Sequence, residues 1–265
     1  MIHKTIDKQG IYYEIQGDLN SKQTLVLLNG LSQSTLAWGL MTPVLGKNNR
    51  IVLLDFIFQG QSDKNGEWRD FDQHAKDVKG LLDELKIDSA VIIGLSYGSL
   101  VAQHFALLFP EKTQKLVLMS TFAHKTAYYQ AIETAWERAV SMGGYPLLLD
   151  IMLPSVLSEE YFKNPLIPIE LMKEARKDLN NDSAALLKLM RATKERPDYL
   201  EKLKQVKAPT LIIQGEKDLL FPVHMAEAVH KSIPGSRLEI IPLVGHTLNL
   251  EAVPQSLRIL NSFIA

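Results

Sequence analysis

The chain contains no cysteine among its 265 residues. This absence excludes disulfide bonds, thiolate metal ligands and a cysteine nucleophile together. At this length the chain can bury most of the apolar surface that it would expose when unfolded, so it needs no covalent cross-link. The lack of cysteine fits a reducing compartment, and we expect a cytoplasmic protein.

The sequence also has little net charge and no long apolar run. Its 29 Lys and Arg residues nearly balance its 30 Asp and Glu residues, for a formal net charge of -1. Such a charge gives no broad attraction for nucleic acid or for an anionic membrane surface. The first seven residues, MIHKTID, lack the apolar core of a signal peptide, and no apolar run reaches the length of a membrane span. We expect a small-molecule partner, no nucleic acid, no membrane span, and a monomer or homodimer.

In place of these features the sequence alternates short apolar runs with longer amphipathic segments. This alternation is typical of successive βα units on a mostly parallel sheet. Two early strands flank the turn signal KQG at 8–10 and are expected to form an antiparallel hairpin at one sheet edge. The predicted strands are 2–6, 11–15, 24–28, 51–54, 90–93, 115–119, 209–213 and 237–241, and the predicted helices of this part are 71–85, 97–109 and 254–263.

Strand signals are missing from the middle of the chain. Helical patterns at 127–140, 169–179 and 184–190 replace them, interrupted by Gly143, Gly144, Pro154, Pro165 and Pro168. The prediction is a single α/β core formed by residues 1–120 and 203–265, with residues 121–202 inserted as a helical cap. Helices are expected on both faces of the sheet.

The strongest chemical signal is the pentapeptide GLSYG at 94–98, between a predicted strand and a predicted helix. Small residues on both sides of Ser96 suit a tight, strained turn that holds the serine hydroxyl clear of the backbone. The following helix directs its positive N-terminal dipole at the place where negative charge develops during acyl transfer. This pattern indicates a nucleophilic serine, and the alternative is an ordinary glycine-rich turn between strand and helix.

A serine hydroxyl needs a base to become a useful nucleophile, and the chain offers seven histidines. His246 follows the last predicted strand, from which a loop can return it to the sheet edge that carries Ser96. Four others lie in predicted helices and are interpreted as surface or packing residues, namely His74, His104, His224 and His230. His3 and His124 have no strand-end motif, although His124 is near the start of the insertion and can face the pocket.

The base in turn needs a carboxylate that fixes its tautomer and stabilises the imidazolium. Asp218 follows the predicted strand 209–213 within the segment QGEKD at 214–218 and is the predicted acid. Glu216 in the same segment is the competing carboxylate. An oxyanion hole is also required, and the backbone N–H groups of Tyr97 and Leu31 are its predicted donors. The alternative for the Asn29–Gly30 pair before Leu31 is a plain turn.

These residues together resemble the α/β-hydrolase superfamily, specifically its capped esterases, lactonases and related hydrolases. The resemblance covers essentially the whole chain and rests on GLSYG at 94–98, QGEKD at 214–218, GHTLNLE at 245–251 and Pro254, in that order. It implies the α/β-hydrolase fold, a catalytic triad of Ser96, Asp218 and His246, and no cofactor or metal. The serine at the elbow argues against the related dehalogenases and epoxide hydrolases, which carry aspartate there.

Two positions depart from the usual family pattern. Asn29 stands where histidine is usual, and Phe58 stands where glycine is usual. Both variants are similar to the bacterial enzymes that join two 3-hydroxyacyl groups to make the lipid part of rhamnolipids. The same triad can pass an acyl group to an alcohol when water is excluded, so the resemblance leaves acyl transfer open beside hydrolysis.

The predicted reaction is hydrolysis of carboxylic esters or lactones with small to medium apolar acyl groups, by a serine esterase, carboxylesterase or lactonase. Apolar and aromatic residues of the cap are candidates for the acyl pocket, and internal packing is the alternative for each of them. These candidates are Trp136, Tyr145, Met152, Phe162, Leu171 and Met172. A ligand-binding receptor and a purely structural protein on the same fold are the other functional classes considered.

Overall fold

A computed structural model describes residues 1–5, 7–177 and 182–265. Eight strands form one sheet in the order β1-β2-β4-β3-β5-β6-β7-β8. Their bounds are β1 Ile2–Lys4, β2 Gly10–Gly17, β3 Thr24–Leu28, β4 Arg50–Leu54, β5 Ala90–Leu95, β6 Thr113–Met119, β7 Thr210–Gly215 and β8 Arg237–Ile241. The predicted antiparallel hairpin is confirmed: β1 pairs with β2, β2 also pairs antiparallel with β4, and the other neighbours are parallel.

Helices cover both faces of this sheet. They are α1 Thr42–Leu45, α2 Phe71–Glu84, α3 Tyr97–Leu108, α4 Ala127–Val156, α5 Glu159–Lys163, α6 Ile169–Lys177, α7 Ser183–Glu195, α8 Leu200–Leu203, α9 Val223–Ser232, α10 Leu248–Glu251 and α11 Val253–Ile264. Alternate residues of β3 show the two layers: Val26 and Leu28 pack into the core with α2 and α3, whereas Leu25 and Leu27 pack with Trp38 and α11. The predicted fold class is confirmed.

The segment between β6 and β7 contains α4 to α8 and is called the insertion below. Its first helix is interrupted at Gly144, which has a φ of 65° and a ψ of -157°. Glycine adopts this conformation without steric cost, so the break falls where the sequence predicts it. Pro154 was expected to interrupt a helix, but α4 continues through it to Val156. The predicted helix at 169–179 is described only to Lys177, since Leu179 lies outside the described residues.

One helix of the described part of the chain, α4, is long and apolar enough to span a membrane by length and composition. Its most apolar 18-residue window has a mean hydropathy of 1.3, and 44% of that window is buried within the protein. The helix bends at Gly144 and packs against α6 and α7. These contacts are those of a core helix in a folded domain.

The sheet topology places the chemistry at one edge. Parallel strands β3, β5, β7 and β8 all end at the same edge, so the loops that follow them meet there. Leu31, Ser96, Asp218 and His246 lie in those four loops. The fold therefore gathers residues that are far apart in sequence.

Candidate active site

Ser96 occupies a strained turn between β5 and α3. Its φ of 52° and ψ of -116° lie outside the regions that a serine usually adopts. The turn is tight enough that a Cβ on Gly94 would lie 2.3 Å from the carbonyl oxygen of Gly98, and one on Gly98 would lie 2.2 Å from that of Leu28. Ser99 Oγ donates a 2.6 Å hydrogen bond to the Ser96 carbonyl. The two glycines of the GLSYG motif are therefore required by backbone contact.

Ser96, His246 and Asp218 form a continuous hydrogen-bonded row. The distance from Ser96 Oγ to His246 Nε2 is 2.8 Å, and that from His246 Nδ1 to Asp218 Oδ2 is 2.7 Å. The ring of Phe221 packs edge-on against the imidazole at a centroid distance of 4.9 Å. Three residues separated by as many as 150 positions thus have the spacing needed for proton transfer from serine to histidine.

The hydrogen bonds of Asp218 determine which nitrogen of the His246 imidazole carries the proton. The carboxylate is buried, and its Oδ1 accepts hydrogen bonds from the backbone N–H groups of Leu220 (2.9 Å) and Phe221 (2.8 Å). Its Oδ2 accepts from Gln214 Nε2 (2.7 Å) as well as from His246 Nδ1. An ionised carboxylate only accepts, so Nδ1 of His246 carries the proton. Nε2 is then the free acceptor for the Ser96 hydroxyl.

The histidine loop is held by both the core and the insertion. Ser120 Oγ donates to the His246 carbonyl at 2.7 Å, and the His246 N–H donates to the carbonyl of Val156 at 3.0 Å. The Glu251 carboxylate accepts from the N–H groups of Gly245 (3.1 Å) and Ser158 (2.9 Å). These bonds fix the position of the imidazole relative to the end of α4.

Two backbone donors lie beside Ser96. Tyr97 is the first residue of α3, and Leu31 lines the cavity in front of the serine. Neither N–H group donates to another group within the described ranges. The dipole of α3 adds partial positive charge at the same place. This arrangement can receive a developing oxyanion.

The cavity in front of Ser96 is small and mostly apolar, with a volume of about 40 Å³. Its lining consists of Gly30, Leu31, Gln33, Leu95, Ser96, Trp136, Met152, Val156, Leu220, His246 and Thr247. A volume of roughly 10–15 Å³ accommodates one water, so this space holds only a few non-hydrogen atoms.

The structure separates the residues of the insertion that were predicted together as the lining of an acyl pocket. Trp136 and Met152 line the cavity at Ser96. Tyr145 instead lines a separate cavity of about 300 Å³ beside α6, and Phe162 lines an outer groove of about 450 Å³. Met172 is packed in the core, and Leu171 is exposed. Helical spacing identifies a buried face but does not tell which of several cavities it lines.

Several residues that line the cavity were not predicted from the sequence. Val156 lies one helical turn after Met152, and Leu220 lies two residues after Asp218, so each had a positional signal. Gln33 had none, because it lies in an irregular loop after β3. Glu251 belonged to the motif at 245–251, but its contact with Ser158 of the insertion was not predicted.

The competing acid and the two departures from the family pattern lie away from the reacting groups. Glu216 is exposed, and its contact with the Leu243 N–H lowers the pKa of its carboxyl.

Asn29 donates to the Leu54 carbonyl (2.7 Å) and accepts from Trp38 Nε1 (2.9 Å). Phe58 is buried at a φ of 80°, the conformation that favours glycine. Neither Asn29 nor Phe58 lines the cavity at Ser96.

Two of the other buried histidines, His74 and His104, are electrically neutral at pH 7. Burial, with Arg69 nearby, lowers the pKa of His74 to about 3. Burial is also the largest cause that lowers the pKa of His104 to about 4, against the opposing effect of Asp72. In the described residues His124 is not part of the cavity lining, and no group of three or more His, Asp or Glu side chains could hold a metal ion.

The low pKa of His74 predicts acid destabilisation. Below pH 6.5 the His74 imidazole binds a proton in the unfolded chain but stays neutral in the native state. The free energy of unfolding therefore decreases progressively as the pH falls towards 3. Between pH 7 and pH 5 this amounts to about 2 kcal/mol. The free energy of unfolding is measured with urea at pH 7 and at pH 5. Its decrease between the two pH values should be smaller by about this amount in His74→Leu than in the native protein. The exposed His224→Leu should not show this reduction, and equal pH dependence in both variants would contradict the assignment.

Comparisons with known proteins identify the family of the chain. Residues 23–253 match the family model described as alpha/beta hydrolase fold. A Bacillus subtilis (strain 168) protein provisionally named 2-succinyl-6-hydroxy-2,4-cyclohexadiene-1-carboxylate synthase is 27% identical, over 96% of this chain and 95% of its own. A 2-hydroxy-6-oxononadienedioate/2-hydroxy-6-oxononatrienedioate hydrolase of Pseudomonas putida is 28% identical, over 96% and 91%.

Solved structures give the same result. An alpha/beta hydrolase enzyme from a Medee basin deep-sea metagenome library superposes with a TM-score of 0.91 at 29% identity, covering 100% of this chain and 97% of that one. The match to the family model spans most of the chain and includes Ser96, Asp218 and His246. The chain therefore belongs to the α/β-hydrolase family.

Proposed function

We propose that the protein is a serine hydrolase that cleaves carboxylic esters or lactones of small to medium apolar acyl groups. The observation that carries this proposal is the hydrogen-bonded row of Ser96, His246 and Asp218, with Ser96 facing an apolar cavity. In this proposal the three residues are a catalytic triad, and the N–H groups of Leu31 and Tyr97 form the oxyanion hole.

The proposed reaction has two halves. His246 Nε2 removes the proton of Ser96 as Oγ attacks the carbonyl carbon, and Asp218 stabilises the imidazolium that forms. The tetrahedral oxyanion is stabilised by the two N–H groups and collapses to an acyl-enzyme as His246 protonates the leaving alcohol. Water, deprotonated by His246, then attacks the acyl-enzyme and releases the acid and Ser96.

The charge of the lining supports a neutral substrate. The Pseudomonas putida relative is named for a substrate with two carboxylates. Recognition of a carboxylate usually employs Arg or Lys, and neither occurs among the described residues that line the cavity here. We propose that the acyl group is uncharged. We also propose that the insertion, residues 121–202 in the predicted division, acts as a cap over it and that the protein is cytoplasmic.

The test is hydrolysis of a series of p-nitrophenyl esters from acetate to long acyl chains, with the Ser96→Ala protein as background. Turnover well above that background is expected, with an optimum at short chains because the cavity is small. No Ser96-dependent turnover on any ester would contradict the proposal. Measurable ligand affinity with almost no burst and no turnover would instead indicate the receptor alternative, and faster product release with added alcohol would indicate acyl transfer.

A further inference from the structure

Gln33 lines the cavity that contains Ser96, and its side-chain amide carries both a hydrogen-bond donor and an acceptor. The residue lies in the loop after β3, is 9% exposed and lines that cavity. Its side chain folds back over Gly30, where a Cβ would lie 3.1 Å from Gln33 Oε1. The amide is thus held against the turn that also carries the Leu31 N–H.

The orientation of this amide is fixed by its partner. The Gly30 N–H donates to Gln33 Oε1 at 3.1 Å. A backbone N–H can only donate, so the oxygen of the amide must face Gly30 and the NH₂ group must face away from it. Within the described residues Gln33 Nε2 donates to no protein acceptor.

Thr247, another polar residue of the lining, is already engaged. Thr247 Oγ1 donates to Glu251 Oε1 at 2.8 Å, and most of the remaining lining is apolar. A ligand that fills the cavity displaces water from Gln33 Nε2. If the ligand offers no acceptor there, the donor is left unsatisfied and affinity is lost.

We propose that Gln33 is a specificity-determining residue whose side-chain amide donates a hydrogen bond to an acceptor oxygen on the acyl group of the substrate. Because Gln33 is bonded to Gly30, directly before the Leu31 N–H beside Ser96, that oxygen is a hydroxyl, oxo or ether group within two or three bonds of the scissile carbonyl. The enzyme therefore favours such an acyl group over the unsubstituted chain of the same length. This inference rests on the proposed ester hydrolysis at Ser96.

The kinetic test uses two esters of equal acyl length, p-nitrophenyl methoxyacetate and p-nitrophenyl butanoate. The methoxyacetate has an ether oxygen at the position where the butanoate has a methylene group. The measured quantity is the ratio of their kcat/KM values, compared between proteins so that the different intrinsic reactivities cancel. In Gln33→Met this ratio should fall by about five- to 100-fold relative to the native enzyme. Gln33→Glu, which keeps the acceptor for Gly30 but loses the donor, should lower it too.

Gln59→Met is the matched control. Gln59 Nε2 donates to the Gly30 carbonyl at 2.9 Å, so this variant disturbs the same turn, yet Gln59 does not line the cavity. The kcat/KM values of Gln59→Met for the two esters should change by the same factor, so that their ratio stays as in the native enzyme. An equal ratio in the native and Gln33→Met enzymes, or an equal fall in Gln59→Met, would overturn the role of Gln33.

Binding to protein that lacks the Ser96 hydroxyl separates this inference from the proposed function. Calorimetric affinities of methyl methoxyacetate and methyl butanoate are measured for Ser96→Ala and for Ser96→Ala with Gln33→Met. The preference for the methoxy compound should be present in the first and lost in the second. Absence of Ser96-dependent turnover would contradict only the ester hydrolysis, whereas equal affinities of the first protein for the two compounds would overturn the role of Gln33.

Discussion

Replacing Ser96 by alanine is expected to lower kcat for ester hydrolysis by about 10⁴-fold or more, since the nucleophile of a serine hydrolase contributes on that scale. The variant loses only a hydroxyl, and alanine is no larger than serine, so the cavity stays intact. Steady-state kinetics on the best p-nitrophenyl ester would measure the loss. KM should change little in comparison, because Oγ acts mainly in the transition state.

The control for this variant is Ser232→Ala, in which a serine hydroxyl that bonds to the Ala228 carbonyl within α9 is removed. Its activity should equal that of the native protein. Residual activity of Ser96→Ala within about tenfold of the native rate would contradict the assignment of the nucleophile, because binding and oxyanion stabilisation alone would then account for most of the catalysis.

Asp218→Asn is expected to lower kcat by about 10³- to 10⁴-fold through the tautomer of His246. The N–H groups of Leu220 and Phe221 both donate to Oδ1, so the oxygen of an asparagine must remain there. Its NH₂ group then occupies the position of Oδ2 and donates to His246 Nδ1. The proton of the imidazole moves to Nε2, which can no longer accept the proton of Ser96.

Glu216→Gln provides the matched comparison in the same loop. Glu216 is exposed and accepts from the Leu243 N–H at 3.0 Å, away from the imidazole. This variant should keep nearly native kcat. A large loss in Glu216→Gln together with a small loss in Asp218→Asn would reverse the assignment of the acid, and kcat measured at the pH optimum of each protein would decide between them.

The strands were predictable because each is a short apolar run closed by polar or turn residues. The runs at 24–28 and 237–241 were predicted with the bounds that β3 and β8 have in the structure. The positions of Ser96, Asp218 and His246 followed from the predicted strands 90–93, 209–213 and 237–241, which precede them. Parallel pairing then brings the loops together, so a one-dimensional pattern predicted which residues are neighbours in the site.

The cavity itself was much less predictable from sequence. Tyr145 and Met152 lie seven residues apart on α4 and are both buried, yet they line different cavities. Which cavity each residue lines depends on how α4 packs against α6 and α7. Gln33 lies in an irregular loop, where no periodicity applies and where only the contact with Gly30 sets its orientation.

The central claim is that Ser96 is an activated nucleophile. Its most direct test is to treat the native protein with a fluorophosphonate and to locate the adduct by mass spectrometry of peptides. The row of Ser96, His246 and Asp218 predicts one adduct per chain, on Ser96, and no adduct in Ser96→Ala. An unmodified native protein, or an adduct on another residue that persists in Ser96→Ala, would contradict it.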